Sequence, residues 1–224
     1  MQPYQTLAQT RSFSSSFVSK VFSLFGLAIL VTGAGVYVGF HYLLNSIVTN
    51  PLLFFGLFIA EFALVATSRA WSKTEPLNYF LFAAFTFLSG ITVVPLILYF
   101  VQTFNGFGLI YNALFATTAT FLAAALIGWR SEKPLMGWYG FLTTSLIGML
   151  IVGILGIFFP WGNTFELLFS GFGVVIFAGY ATVDMNSLRY YPEDEYIAAA
   201  MRLYLDIFNL FIFILRLTGA ASKR

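Results

Sequence analysis

The chain has 224 residues, the length of one domain, of which 59% are apolar and only 9% charged, with 11 Lys+Arg against 9 Asp+Glu. Mean hydropathy is +0.87, whereas a soluble domain is about half apolar and about a quarter charged. These few charges cannot cover a water-facing surface, which excludes a soluble globular enzyme, a disordered chain and a nucleic-acid binder, and leaves a multi-pass membrane protein.

The first twenty residues are polar and Ser-rich, with Arg11 and Lys20. The apolar run that follows is too long for a signal-peptide core, so residues 1–20 are expected to be a cytoplasmic tail. Seven hydrophobic segments come next, at 21–44, 51–70, 77–101, 108–129, 135–159, 164–188 and 197–218. Each reaches the length of about 20 residues needed to cross the hydrocarbon core. The breaks carry turn chemistry: Asn50-Pro51, Glu75-Pro76, Asn105-Gly106, Lys133-Pro134, Pro160 to Asn163, and Tyr191 to Asp194. Continuous apolar runs are not the period-two strands of an outer-membrane barrel. Lipid requires backbone groups to be satisfied within each segment. The expectation is an all-α polytopic membrane protein, a seven-helix transmembrane bundle over 21–218, with a short basic tail at 219–224.

Lys and Arg alternate cleanly between the breaks. Arg11 and Lys20 precede the first segment; Arg69 and Lys73, Arg130 and Lys133, and Arg189 occupy the second, fourth and sixth breaks. The first, third and fifth have none, which places the N-terminus in the cytoplasm. A crossing last helix then puts Lys223 and Arg224 outside, against that rule; crossing is favoured over a re-entrant helix. Gly35-Val-Tyr-Val-Gly39 is a close-packing motif, Ala116 to Ala125 form a small-residue face, and Gly171, Gly173 and Gly179 thin the sixth segment. Trp71, Trp129, Trp138 and Trp161 fall at segment ends, as interfacial aromatics do.

Ionisable residues inside apolar runs are expensive and mark function. Glu61 lies midway in the second segment, Asp184 near the end of the sixth, Arg202 and Asp206 in the first half of the seventh, and Arg216 near its end. Asp184 is about 6 Å and Asp206 about 14 Å from the inner ends of their helices. Helices joined by a short loop bring two such carboxylates near each other. In low dielectric they cannot both ionise cheaply, so one proton is shared, a pH-sensitive element without histidine. The alternative is simple ion pairing. Arg202 and Asp206 are spaced i, i+4, and Arg69 is a candidate to reach Asp184. Asn209 lies on nearly the same face as Asp206. Glu61 and Arg216 are candidates for a second, outer ion pair. Glu166 stands at a helix start, where a carboxylate favours the dipole, and His41 reads as interfacial. The chain has one His and no Cys, so disulfides, thiolate metal sites and most histidine chemistry are absent.

Ile176-Phe-Ala-Gly-Tyr-Ala-Thr-Val-Asp184, and then Met201-Arg-Leu-Tyr-Leu-Asp-Ile-Phe-Asn-Leu-Phe-Ile-Phe-Ile-Leu-Arg216, resemble the Bax inhibitor-1 (transmembrane Bax-inhibitor-motif) family. The second block is the stronger match. The first departs from the family's Tyr before the aspartate and Thr-Gln after it, with Val183, Met185 and Asn186. Segment count and the small residues around Leu88-Ser89-Gly90 fit over nearly the whole chain. The resemblance implies a seven-helix bundle with the last helix near its centre. It also implies a pH-sensitive calcium leak whose sensor pair is Asp184 and Asp206, touching calcium transiently. Arg69 is then the arginine that locks Asp184, and Glu61 with Arg216 the outer latch.

Three other classes compete. A proton-coupled transporter uses the same acids, a non-transporting membrane scaffold needs longer loops, and an intramembrane aspartyl protease needs a Gly-x-Gly-Asp type signature, whereas Val183 and Leu205 precede the two aspartates. The expectation is no enzyme and no cofactor, with calcium as the permeant ion. The expected partners are the lipid bilayer, calcium and protons, not nucleic acid. The short length and the lack of a targeting extension point to a bacterial plasma membrane, with an organelle membrane as the alternative.

Overall fold

The computed structural model describes residues 15–223. Arg11 and Arg224, which enter the charge argument, lie outside the described residues. Seven helices form the bundle: α1 (Ser15–Thr49), α2 (Pro51–Ala66), α3 (Leu77–Thr103), α4 (Gly108–Arg130), α5 (Tyr139–Phe158), α6 (Asn163–Ser187) and α7 (Tyr196–Ser222). No strand occurs among the described residues.

The turn signals act where they stand. The Asn50 side chain accepts from the Leu53 amide at 3.2 Å, and Pro51 opens α2, the capping arrangement these residues favour. Asn105 and Gly106 take positive φ of 51° and 146° between α3 and α4; only a residue without a Cβ takes the second readily. α1 passes through a wide π turn at Gly39–Leu43 and then continues to Thr49, past its expected end at 44.

One segment differs from expectation. α2 spans 16 residues rather than the 20 of 51–70 and ends at Ala66 with Thr67 as its cap, after which Ser68–Trp71 forms a separate turn. At 1.5 Å per residue it is about 24 Å long, short of a core about 30 Å thick. Six helices are long and apolar enough to cross a membrane, and α2 is the shorter apolar seventh.

α7 sits at the centre, packed on α6, α4 and α1 and touching α3. It carries buried residues along its whole length, from Tyr196 to Ala220, whereas α2 carries none. α5 packs mainly on α6, and α2 mainly on α3. Large apolar side chains such as Leu30, Leu52, Phe62, Phe115 and Phe158 face outward, the surface a bilayer covers. α7 is continuous, and its end is tied to Asn163 and Tyr99 at the end of the bundle opposite the start of α1. It therefore traverses the bundle and does not turn back.

α1 and α3 cross backbone to backbone. A Cβ on Gly35 would stand 2.2 Å from the Phe87 carbonyl oxygen, and one on Gly90 would stand 2.2 Å from the Thr32 carbonyl oxygen. In α6, Gly173 makes room for the Phe213 ring, while Gly171 meets only Leu217, at 3.8 Å from its would-be Cβ.

Candidate functional site

α6 ends three residues after Asp184, and α7 begins ten residues before Asp206. The two carboxyls nonetheless face each other across the seam between α6 and α7. Each residue is 4% exposed, and the carboxyl groups lie within hydrogen-bonding reach of each other. Asp206 Oδ2 is buried and receives no hydrogen bond among the described residues. An ionised carboxylate only accepts. Two of them facing each other leave one oxygen without a donor unless a proton or another cation stands between them.

Other groups close the pair on one side. The Tyr139 hydroxyl, from the first residue of α5, donates to Asp184 Oδ1 and lies 3.2 Å from Ser187 Oγ. Arg202 Nη1 stands 3.7 Å from Asp184 Oδ1. Its guanidinium lies over the rings of Tyr139 and Tyr191, at 5.5 and 5.9 Å, a cation–π sandwich. Arg202 is half-exposed, so it separates the pair from the solution beyond the basic loops.

Several expected partners are redistributed. Asp184 pairs with Arg202, not with Arg69, which is exposed in the Ser68–Trp71 turn after α2. Arg202 thus reaches across to α6, although Asp206 stands four residues from it on α7. Arg216 does not meet Glu61. Its Nε and Nη2 donate to Glu166 at 2.7 and 3.0 Å, and Trp161 Nε1 donates to the same carboxylate at 2.8 Å. Glu166 and Arg216 belong to adjacent central helices, while α2 lies at the edge behind α3. Glu61 instead accepts from Ser89 and Thr92. Asn209 donates to the Leu205 carbonyl of its own helix at 2.7 Å. His41 is exposed and stacked on Tyr37 at 4.2 Å. Among the described residues no three His, Cys, Asp or Glu side chains cluster.

Tyr139 is the participant that charge-in-lipid reasoning missed, because a tyrosine at a segment start reads as interfacial; Glu166 does stand in the first turn of α6, as expected, and its pairing with Arg216 is the added feature. Asn186, where the family tends to have Gln, is fully buried. It donates to the carbonyls of Gly128 and Ser131 and accepts from the Leu135 amide at 2.9 Å. It clamps the α4–α5 connection that delivers Tyr139.

The loops on this side are also tied together. Lys73 meets Asp194 at 3.0 Å and Glu195 at 2.8 Å. Glu75 accepts from the Tyr196 hydroxyl and stands 3.7 Å from Lys20. The Tyr196 hydrogen bond, then the Lys20 charge, hold the Glu75 carboxyl below its ordinary range; Lys73 holds Asp194 low, and the two acids hold Lys73 high. A depressed acid contributes stability that is present above its unfolded value, about 4.3 for Glu, and is lost as pH falls through the lower folded value. Melting temperature in detergent is therefore expected to fall on acidification below that point. Glu75→Gln is expected to remove part of that fall, and melts of both proteins across the acid range check it.

The family model described as "Inhibitor of apoptosis-promoting Bax1" matches residues 14–223. Protein lifeguard 4 of Mus musculus is 30% identical over 213 residues, covering 93% of this chain and 87% of that protein. Bax inhibitor 1 of Schizosaccharomyces pombe is 29% identical over 218 residues, covering 93% and 78%. An uncharacterized protein of Helicobacter pylori is 32% identical over 212 residues, covering 93% and 88%. A match over nearly the whole described chain, with the buried acid pair on its two most closely packed helices, makes this polytopic membrane protein a member of the Bax inhibitor-1 family.

Proposed function

We propose that the protein is a passive calcium leak whose rate is set by a proton shared between Asp184 and Asp206. The observation that carries this reading is a buried pair of facing carboxyls with one oxygen lacking any donor. With one proton in the pair, the remaining charge holds Arg202 against Asp184 and the Tyr139–Tyr191 sandwich stays shut. A second proton neutralises the pair, so Arg202 loses its electrostatic partner and the latch loosens. Acidification therefore opens the path.

Calcium takes six to eight oxygen ligands when held tightly. Two aspartates supply few of these, which suits transit rather than storage. At the other end, cavities of about 410 and 300 Å3 flank the Arg216–Glu166 pair, and we assign that pair the outer constriction. We place the protein in a bacterial plasma membrane with the Lys20–Lys73 end cytoplasmic, on the charge alternation of its loops and the existence of bacterial relatives. The anti-apoptotic names of other relatives describe those proteins.

The test is calcium flux into proteoliposomes at about pH 6 and about pH 8, with internal pH recorded alongside. Downhill calcium entry that quickens at the lower pH, without stoichiometric proton counter-flux, is expected. Obligatory counter-flux would make the protein a proton-coupled transporter instead. No calcium entry at either pH would overturn the leak.

A further inference from the structure

Glu61 is a third carboxyl inside the bundle, and its environment is unlike that of the aspartates. It stands ten residues along α2. Ser89 Oγ donates to its Oε1 at 2.6 Å and Thr92 Oγ1 to its Oε2 at 2.7 Å. Ser89 also faces the Tyr204 hydroxyl, which lies 2.8 Å from Thr32 Oγ1. The row Glu61–Ser89–Tyr204–Thr32 thus crosses four helices, α2, α3, α7 and α1.

No charge faces it. α3 contains no charged residue, nor does residues 44–49 of α1, which also pack on α2. From α7 the facing titratable group is the Tyr204 phenol. Arg69 lies eight residues on, about 12 Å along the chain direction, and is exposed.

A hydroxyl donates one proton and accepts as well. With Glu61 ionised, Thr32 donates to Tyr204, Tyr204 to Ser89, Ser89 to Oε1 and Thr92 to Oε2. With Glu61 protonated on Oε1, the row reverses: the acid donates to Ser89, Ser89 to Tyr204, and Tyr204 to Thr32. Thr32 then donates to the carbonyl of Ala28 at 2.8 Å or of Thr86 at 3.1 Å. Spare acceptors stand beside the other hydroxyls too: the Phe85 carbonyl is 3.0 Å from Ser89 Oγ, and the Ser89 carbonyl 3.2 Å from Thr92 Oγ1. Around Glu61 both protonation states find partners without moving a heavy atom, since Ser89 and Thr92 flank the carboxyl and each has a carbonyl beside it. An acid serving only as half of an ion pair needs a cation, and a permanently neutral acid needs only one polarity. Provision for both polarities is what a group that exchanges a proton requires.

We infer that Glu61 is a second proton-binding site, separate from the aspartate pair, and that the Ser89–Tyr204–Thr32 hydroxyl row relays its protonation to the seam between α1 and α7. Thr32 and Tyr204 border an apolar cavity of about 680 Å3 between α1, α3, α4 and α7. Uptake of a proton by Glu61 reverses the direction of the hydroxyls on that wall.

The experiment is acid-minus-alkaline infrared difference spectroscopy on the full chain in lipid vesicles, with the proton as the only ligand. Glu61→Gln is expected to abolish one carboxylic-acid C=O band. Asp206→Asn is expected to leave that band in place and remove a different one, so failure of the aspartate reading and failure of this one are distinguishable. Ser89→Ala is expected to shift the Glu61 band as its hydrogen bond is lost, and Tyr204→Phe to remove a tyrosine signal that rises and falls with it. A spectrum unchanged by Glu61→Gln overturns the site. Should that variant not fold, an unshifted band in Ser89→Ala overturns it. A Tyr204→Phe spectrum that retains the coupled signal overturns the relay.

Discussion

Asp206→Asn is expected to reduce the ratio of calcium flux at acid and alkaline pH to about one, with the flux low at both. The amide cannot take up a proton, yet it donates one hydrogen bond to Asp184 that the shared proton supplied before. Asp184 is left with no carboxyl to share with, while Arg202 at 3.7 Å and the Tyr139 hydroxyl still partner it. The latch therefore stays closed across the range. Arg202→Gln is the complementary variant. It removes the cation from the tyrosine sandwich and is expected to leave flux high at both pH values. The two variants flatten the same profile at opposite levels, which a general loss of folding does not produce. Retained pH dependence in Asp206→Asn would remove the shared proton from the mechanism.

Gly90→Val is expected to abolish recovery of folded protein, and Gly90→Ala to cost at least about 3 kcal/mol, the upper end of ordinary overpacking. The would-be Cβ stands 2.2 Å from the Thr32 carbonyl oxygen, 2.9 Å from the Val36 amide nitrogen and 3.0 Å from the Gly35 Cα. All three are backbone atoms, so nothing yields unless α1 moves away from α3. Moving α1 also breaks the Thr32–Tyr204 contact that joins it to α7. Gly26→Ala is the control. Nothing lies within 4 Å of its would-be Cβ, and replacing a mid-helix glycine by alanine is worth about 0.5–1 kcal/mol in favour of the helix. Thermal unfolding in detergent, followed by the monodisperse fraction, checks both. Equal stability of Gly90→Ala and the parent would mean that α1 and α3 do not cross at this point.

The class of molecule was legible without coordinates, because lipid imposes a one-dimensional rule: long apolar runs, short polar breaks and charges at the ends. Break chemistry at Asn50-Pro51 and Asn105-Gly106 located helix ends for the same reason, since caps and positive-φ positions are local. The spot at which α2 stops was not legible. Residues 67–70 continue the apolar-to-polar gradient smoothly, and the helix stops where the Thr67 hydroxyl and Trp71 Nε1 donate back to the Ala63 and Leu64 carbonyls.

Linear order also determined which residues carry charge in lipid and at roughly what depth, since depth follows from rise per residue. It named Asp184, Asp206, Glu61, Arg202 and Arg216. Tertiary structure alone decided who meets whom. Partner choice depends on the rotation of each helix about its axis and on which helices are neighbours, and neither is written in spacing. Hence Arg202 turns to Asp184 on another helix rather than to Asp206 on its own, and Arg216 finds Glu166 because α6 flanks α7. Glu61, on an edge helix packed mainly on α3, ends among hydroxyls. A row of hydroxyls from four helices has no signature along the chain, because each contributes one ordinary Ser, Thr or Tyr and only packing sets them in line.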